Sequence, residues 1–250
     1  VFERNNVLLD EFWSVSEQYL DLLICIAQKN TEYSERLIDL LDDVTPTMFN
    51  KILDLLKHIS KTLENDNERY HIWDKLLSYT NRHRSFADSE EVVAEDRLKM
   101  IESVTSLIAP QNIDIIESRL FKREQYDLYY SGADYHSIES ELRIHQKNSI
   151  IRIYTSYLLI GVVEFAKIVE SPQIVGSILS SLDLNAAEED AIFDLLQSDK
   201  ENLKLFAQSY CNSKYNVKKI NWLSSLNLLS LPAIKRVLIL SSIHICKDVL

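Results

Sequence analysis

Residues 45–63 read TPTMFNKILDLLKHISKTL, and this stretch decides the fold class. Thr45 is a typical helix N-cap residue, and Pro46 fits the first helical position. At that position the N–H that proline lacks would have no partner within the helix, so its absence costs nothing. The apolar residues that follow recur at spacings of three and four, the period of an amphipathic helix. They are Phe49, Ile52, Leu53, Leu56, Ile59 and Leu63. The stretch therefore predicts a helix with one buried face.

Helix signals recur along the rest of the chain. Only three glycines and four prolines occur in 250 residues, whereas β-hairpins and bulges need many residues that tolerate positive φ. Ser171-Pro172 repeats the cap-and-proline start, and three pairs fit the capping box: Asp88 with Glu91, Asn185 with Glu188 and Ser198 with Glu201. We expect an all-α fold of about a dozen helices in antiparallel hairpins, forming an irregular α-solenoid. An irregular helical bundle is the alternative.

The domain organisation follows from the same pattern. We expect residues 1–250 to form one helical repeat region, and the loop at 125–137 is where a subdivision would fall. The chain starts at Val1 without a methionine and ends inside the apolar pattern VLILSSIHICKDVL. These two ends predict a fragment of a larger protein.

Charge and cysteine content narrow the partners and the compartment. The net charge of −11 argues against non-specific nucleic-acid binding, which depends on clustered Lys and Arg. Three cysteines, far apart and odd in number, fit free thiols in the cytoplasm. Six basic residues lie between Lys214 and Leu250, set against the single acid Asp248. They predict a solvated helix surface, and a weakly basic face is the alternative.

The most apolar segment runs from Ile150 to Val169. Arg152, Glu164 and Lys167 interrupt it, so we expect no membrane span. Because its apolar residues lie on all sides, we expect this helix at the centre of the packing. We expect four large side chains to be largely buried, namely Phe49, Trp73, Leu158 and Trp222.

Catalytic motifs are missing from the sequence. It contains no G-x-x-x-x-G-K-[ST], no G-x-S-x-G, no H-E-x-x-H and no paired Cys/His cluster. We therefore expect no cofactor, no metal and no enzymatic activity. The alternative is a helical enzyme domain whose active site no motif reveals. A closed pocket with converging titratable groups would favour that enzyme, and an exposed apolar groove would favour a binding protein.

Four tyrosines form the first candidate functional patch. Tyr126, Tyr129, Tyr130 and Tyr135 follow Arg123 in the least regular stretch of the chain. Exposed Tyr and Arg are enriched among interface hot spots, so the patch predicts contact with a protein partner or with neighbouring domains of the same chain. The alternative is that the rings pack beneath the loop and join two halves of the fold.

The second candidate is the cationic cluster Arg82-His83-Arg84 at the end of a predicted helix. Two arginines there are able to grip a phosphate or carboxylate, which makes the cluster a candidate anion site. The alternative is that these side chains complement the helix dipole and cap its last carbonyls.

One region resembles a known family. Residues 71–121 carry W-x-x-L, then R-H-R-x-F-x-D, then a helix closed by L-I-A-P and a short helix ending in L-F. The matching positions are Trp73, Leu76, Arg82, His83, Arg84, Phe86, Asp88, Pro110 and Phe121. This order resembles a segment of the helical C-terminal regions of large bacterial STAND-type ATPases, some of which act in antiviral defence. After Asp88 the chain carries Glu90-Glu91-Val92 where the family tends to carry tryptophan and proline. The resemblance implies a sensor or scaffold role and carries over no catalytic residue.

The expected function combines these points. We expect a non-catalytic helical scaffold or sensor segment of a larger bacterial multidomain protein. It would mediate protein recognition or relay between domains, in the cytoplasm, without nucleic acid or membrane.

Overall fold

The fold is all-α. The computed structural model describes residues 18–19, 21–27, 32–42, 44–85, 94–123, 135–226 and 228–243, among which no strand occurs. Among the described residues, the chain divides into two compact units between Ile116 and Glu117. Most of the 125–137 segment, where the sequence predicts a subdivision, lies outside the described residues, so that subdivision stays a prediction. The stacking order that a solenoid requires stays a prediction.

The first unit contains helical residues at 18–19 and 21–27 and then four helices and the start of a fifth. They are α1 (Glu32–Asp39), α2 (Pro46–Thr62), α3 (Asp66–Ser85), α4 (Glu95–Ile108) and α5 (Ile113–Ser118), which crosses the division.

Helix α2 forms as the sequence predicts. The Thr45 hydroxyl accepts a hydrogen bond from the Met48 N–H at 3.4 Å, and Pro46 occupies the first turn. The predicted apolar face is buried, with Phe49 2% exposed. Trp222, in the second unit, is also buried as predicted. Trp73 is only half-buried and packs against the edge of the first unit's core.

Arg69 ties three helices of the first unit together. From α3 its guanidinium donates to the carbonyls of Ser60 at 2.7 Å and Leu63 at 2.9 Å, at the end of α2. It also donates to the Ile108 carbonyl at 3.4 Å, at the end of α4. The last carbonyls of a helix have no intrahelical partner. A single cation therefore caps two helix ends and fixes where they meet.

The second unit contains the end of α5 and five further α-helices. A 3-10 helix (Arg119–Phe121) follows α5, and another (Leu228–Ser230) precedes the last helix. The helices are α6 (Tyr135–Ile168), α7 (Pro172–Leu179), α8 (Ala186–Leu195), α9 (Glu201–Ser225) and α10 (Ala233–Ser241). The core includes Phe165, Val175, Phe193, Phe206 and Tyr210.

Helices α7 and α9 approach closely at Gly176. A Cβ at this position would collide with the backbone carbonyl of Phe206. Because backbone cannot rotate aside as a side chain does, only glycine allows this separation. The contact fixes α7 against α9.

Of the three predicted capping boxes, two lie within the described residues, and they give one confirmation and one error. Asn185 and Glu188 form the predicted capping box at the start of α8. The box predicted for Ser198 and Glu201 is wrong, because α9 begins at Glu201 with Lys200 as its N-cap. The Ser198 hydroxyl instead accepts the Lys200 N–H at 3.2 Å, a local turn that competes with capping. Asp88 and Glu91 lie outside the described residues.

Helix α6 corrects the prediction of a surrounded central helix. Leu158 is 62% exposed instead of buried, and Ile160 is 72% exposed. One side of α6 packs on the rest of the second unit through Ile153, Val162 and Phe165. The apolar residues on its other sides stay exposed, because apolar composition alone does not supply a partner. The backbone also breaks at Leu158, which has φ 57° and ψ −160°.

By length and composition, Glu139–Ile168 passes as a membrane-spanning helix, with 39% of its most apolar window buried. A core helix of a soluble protein meets the same two criteria. The expectation of no membrane contact therefore stays a prediction.

Candidate functional site

The tyrosine patch lies mostly outside the described residues. Tyr126, Tyr129 and Tyr130 are not described, and Tyr135 begins α6 with a side chain that is not described. Arg123 is exposed, and its backbone N–H donates to the Glu170 carboxylate at 3.3 Å. The role of this patch in binding stays a prediction.

The cationic cluster Arg82-His83-Arg84 ends α3, and Asp42 draws together its first two members. The Asp42 carboxylate accepts from Arg82 at 3.1 Å and from the Tyr79 hydroxyl at 2.5 Å. His83 Nε2 lies 3.0 Å from the same carboxylate, as an ion-pair contact and not as an aligned hydrogen bond. Burial raises the pKa of Tyr79, as does its bond to Asp42. Burial lowers the pKa of His83, against the opposing attraction of Asp42.

Arg84 completes the cluster on the α4 side. Its guanidinium donates to Glu102 at 2.7 Å and to Glu95 at 3.4 Å. The bond to Glu102 raises the pKa of Arg84 above its usual value. All three members of the cluster therefore face carboxylates of the same unit. An external phosphate would have to displace these carboxylates, so the geometry favours ties between helices over an anion site.

Buried lysines in the second unit correct the prediction of a solvated basic surface. The Lys214 side chain is 3% exposed, and its ammonium donates to the Leu182 carbonyl at 3.1 Å. The ammonium also lies 3.6 Å from Glu189, which accepts the Tyr210 hydroxyl at 2.8 Å. Since each charge has a counter-charge or a polar partner at hand, burial is tolerated.

Lys235 repeats this arrangement on α10. Its side chain is 7% exposed and contacts Asp190 at 2.6 Å and Asp194 at 2.7 Å, both on α8. Burial acts to lower the pKa of Lys235, but the bonds to the two carboxylates outweigh it and raise that pKa. Both lysines occupy positions on apolar stripes, Lys214 four residues after Tyr210 and Lys235 four before Ile239. That spacing was the signal that would have predicted their burial.

A cavity of about 470 Å³ opens beside these groups. It is lined by Asp183, Leu184, Glu189, Lys214, Asn221, Trp222 and Ser225. The Trp222 indole N–H is buried without a hydrogen-bond partner in the described part of the chain. Cys211, nearby on α9, is buried, and burial raises the pKa of its thiol to about 12. A thiol with so high a pKa carries almost no thiolate at neutral pH and is a poor nucleophile.

The exposed side of α6 offers a different kind of surface. We define the α6 apolar surface by six exposed apolar side chains on this helix: Ile144, Ile151, Tyr157, Leu158, Ile160 and Ile168. Three of them repeat every seven residues, at 144, 151 and 158. Between Arg152 and Glu164 the helix carries no charged residue. The sequence does not predict this surface, because apolar residues on all sides of a helix indicate that other helices surround it.

The break at Leu158 lies inside this surface. A positive φ at a leucine is a genuine outlier. Gly161 accommodates the break, because a Cβ there would collide with the Cβ of Tyr157 one turn earlier. The second of the three glycines in the chain is thus explained by a distortion that the helical period does not predict.

A groove lies between α6 and α7. We define the α6–α7 groove by the residues that line its volume of about 660 Å³. They are Glu139, Leu142, Arg143, Gln146 and Lys147 on α6; Gln173, Ile174, Ser177, Ile178 and Ser181 on and beside α7; and Ser209 on α9.

Within the described ranges, no three His, Cys, Asp or Glu side chains come together as metal ligands. No protein-family model, curated protein or solved structure matches this chain.

Proposed function

We propose that this chain is a non-catalytic helical module that recognises another protein or a neighbouring domain of its own polypeptide. The α6 apolar surface is its contact surface. The observation that carries the proposal is the exposure of large apolar side chains around Leu158, which is 62% exposed, and Ile160, which is 72% exposed. Large apolar side chains that cluster at the surface of a folded domain mark interaction sites, and Tyr157, Leu158 and Ile160 lie within four consecutive residues of the chain.

Backbone strain at the same place supports this assignment. A leucine held at φ 57° costs on the order of 1–3 kcal/mol relative to a relaxed helix. Strained residues cluster at binding sites and switch regions, where the surrounding structure holds them in place. Backbone strain and apolar exposure both fall on Leu158.

A site-specific cross-link tests the proposal. A photoreactive benzoylphenylalanine replaces Ile160, and a matched control replaces His71, an exposed residue of α3. After irradiation in cells, we expect a discrete cross-linked protein species from position 160 and none from position 71. The species should disappear when Tyr157→Ser and Leu158→Ser are added. Equal or absent cross-linking at the two positions would overturn the proposal.

The parent protein is a further part of the proposal. The resemblance of residues 71–121 supports a sensor or scaffold segment of a bacterial STAND-type ATPase, with a cytoplasmic location. Trp73, Arg82, Arg84, Pro110 and Phe121 carry it. The sequence of the full gene product tests this part, because the family predicts a P-loop G-x-x-x-x-G-K-[ST] upstream in the same polypeptide. Absence of that motif would remove the parent assignment and leave the binding role untouched.

A helical enzyme is the second candidate, and the cavity beside Trp222 favours it. Asp183, Glu189 and Lys214 converge there, next to an indole N–H without a partner in the described residues. A small-molecule screen by thermal shift separates the two candidates. An enzyme or small-molecule receptor predicts a compound that raises Tm in the native chain and not in Trp222→Phe, which loses the indole N–H together with one of the two fused rings. Trp73→Phe is the matched control. We expect no such compound.

A further inference from the structure

The α6–α7 groove has an apolar floor between two polar walls. Leu142 is 3% exposed at its base, and the half-buried Ile174 and Ile178 extend the floor along α7. On α6 the lining residues from Glu139 to Lys147 fall at intervals of three, one, three and one, so they form one continuous helix face. This face is about 12 Å long at 1.5 Å per residue. A partner helix of two to three turns, at about 5.4 Å per turn, would span this face.

The walls are held in place before any partner binds. The Gln146 amide is 3% exposed and donates to the Leu120 carbonyl at 2.7 Å. On the opposite wall the Ser213 hydroxyl donates to the Ser177 hydroxyl at 2.9 Å, which links α9 to α7. The close approach at Gly176 fixes the same pair of helices. A groove that needs no rearrangement loses less free energy on binding.

The α6 wall is cationic in an otherwise acidic chain. Lys147 is exposed and has no ion-pair partner in the part of the chain that the structure describes. The Arg143 side chain is 74% exposed, and within the described residues its one ion pair is with Glu139, four residues earlier on the same helix, at 2.6 Å. Among the described residues that line the groove, Glu139 is the one carboxylate. Two cations against one anion give these residues a charge of opposite sign to the net charge of −11 of the chain.

An apolar floor beside a cationic wall fits one class of peptide. Amphipathic helices bind in apolar grooves through side chains at spacings of three and four, and charges at the rim select the partner. We propose that the α6–α7 groove binds an amphipathic helix whose apolar stripe is flanked by carboxylates. The carboxylates contact Lys147 and Arg143, and the apolar side chains contact Leu142, Ile174 and Ile178. This inference rests on the proposed function of protein recognition, and none of the described residues that line the groove is among the six that define the α6 apolar surface.

Three labelled synthetic peptides of about five helical turns test the proposal against the whole 250-residue chain. One has a leucine stripe flanked by glutamates, the second has lysines in place of the glutamates, and the third is a scrambled acidic peptide. Fluorescence anisotropy gives the three affinities. We expect the acidic amphipathic peptide to bind at least about tenfold more tightly than either of the others, with an affinity that falls as salt rises.

Charge reversal supplies the sharper test. Lys147→Glu should weaken the acidic peptide about tenfold and strengthen the basic peptide, since the charge of the wall is inverted. The matched control is Lys99→Glu, an exposed helix lysine of the first unit, which should change neither affinity. A structural effect of the substitution would weaken both peptides and would not invert the preference.

Several outcomes would overturn the proposal. Equal binding of acidic and basic peptides, or affinities that Lys147→Glu leaves unchanged, would remove the acidic partner. No binding of any peptide, together with a sedimentation coefficient that falls in Lys147→Glu, would assign the groove to a second copy of this chain. Cross-linking from position 160 reports on the α6 apolar surface and not on the groove. If no cross-link forms at position 160 but the acidic peptide still binds, the proposed contact at the α6 apolar surface is wrong and the groove proposal stands.

Discussion

Helices α2 and α6 look alike by apolar content and differ in burial. In α2 the apolar residues keep to one stripe, and that stripe is buried, with Ile52 and Leu56 fully covered. In α6 they occupy every side, and Ile144, Leu158 and Ile160 stay exposed. The comparison teaches that the position of a residue on the packed stripe decides its burial, and that its chemical type does not.

Polar residues of other helices follow the same rule. Lys214 continues a stripe of Leu203, Phe206, Ala207 and Tyr210, and it is 2% exposed. His83 continues the stripe of α3 after Tyr79, and its side chain is 13% exposed. These residues are buried because the helix carries their Cβ atoms toward the core, and a nearby carboxylate then lowers the cost of desolvation.

The largest expected effect contrasts one residue from each helix. Phe49→Ala should lower the free energy of unfolding by about 3–5 kcal/mol, because it empties a fully packed position. Leu158→Ala should lower it by less than about 0.5 kcal/mol, because the side chain is exposed. Chemical denaturation of the two variants measures both values. Equal losses would mean that α6 is covered as fully as α2 in solution, and the comparison would fail.

The sequence predicts most of the fold and little of the candidate sites. Thr45-Pro46, the stripe of α2 and the Asn185 capping box depend on neighbours within a few residues, so local rules suffice for them. The pairing of Arg82 and His83 with Asp42 joins residues 40 and 41 positions apart, and no local rule contains it. Sequence analysis placed the three cations correctly at a helix end but could not supply their partners.

The sequence does not predict the α6–α7 groove, again because its residues are far apart in the chain. Its floor combines Leu142 on α6 with Ile174 and Ile178 on α7, which lie more than 30 positions apart in the sequence, and no local rule contains that pairing. Leu158 itself gives no signal of the break, since leucine is a good helix former. Gly161, three residues later, was the one local indication that the helix is irregular there.

A buried lysine extends the comparison to charged residues. Lys214→Met should lower the free energy of unfolding by about 3 kcal/mol, because it leaves the Glu189 carboxylate without its counter-charge. Adding Glu189→Gln should recover part of the loss, since glutamine is neutral and still accepts the Tyr210 hydroxyl. Lys204→Met, at a more exposed lysine of the same helix, is the matched control. A loss below about 0.5 kcal/mol for Lys214→Met would place this lysine in solvent.

Glycine substitution at the break of α6 should act against the usual rule. Glycine inside a helix costs about 1 kcal/mol, but at a positive φ it removes strain. Leu158→Gly should therefore raise the free energy of unfolding by about 1 kcal/mol. The neighbouring Leu159→Gly, at a half-buried position packed on the core, should lower it by more than about 1 kcal/mol. A regular helix in solution would make both substitutions destabilising.

The smallest expected effect is the pH dependence that His83 contributes. Burial lowers the pKa of His83 from its ordinary 6.5, so the unfolded chain binds a proton at a higher pH than the folded one does. Between these two pKa values the unfolded state holds more protons, and stability falls as the pH decreases. The stability that neutral His83 contributes is fully present above pH 6.5. It is lost as the pH drops through the pKa of His83 in the folded chain.

The free energy of unfolding of the native chain and of His83→Gln, measured from neutral to mildly acidic pH, should decline less steeply with decreasing pH in the variant. A variant that loses stability as steeply as the native chain would mean that His83 titrates as a solvated side chain, and that the stripe position of α3 does not bury it.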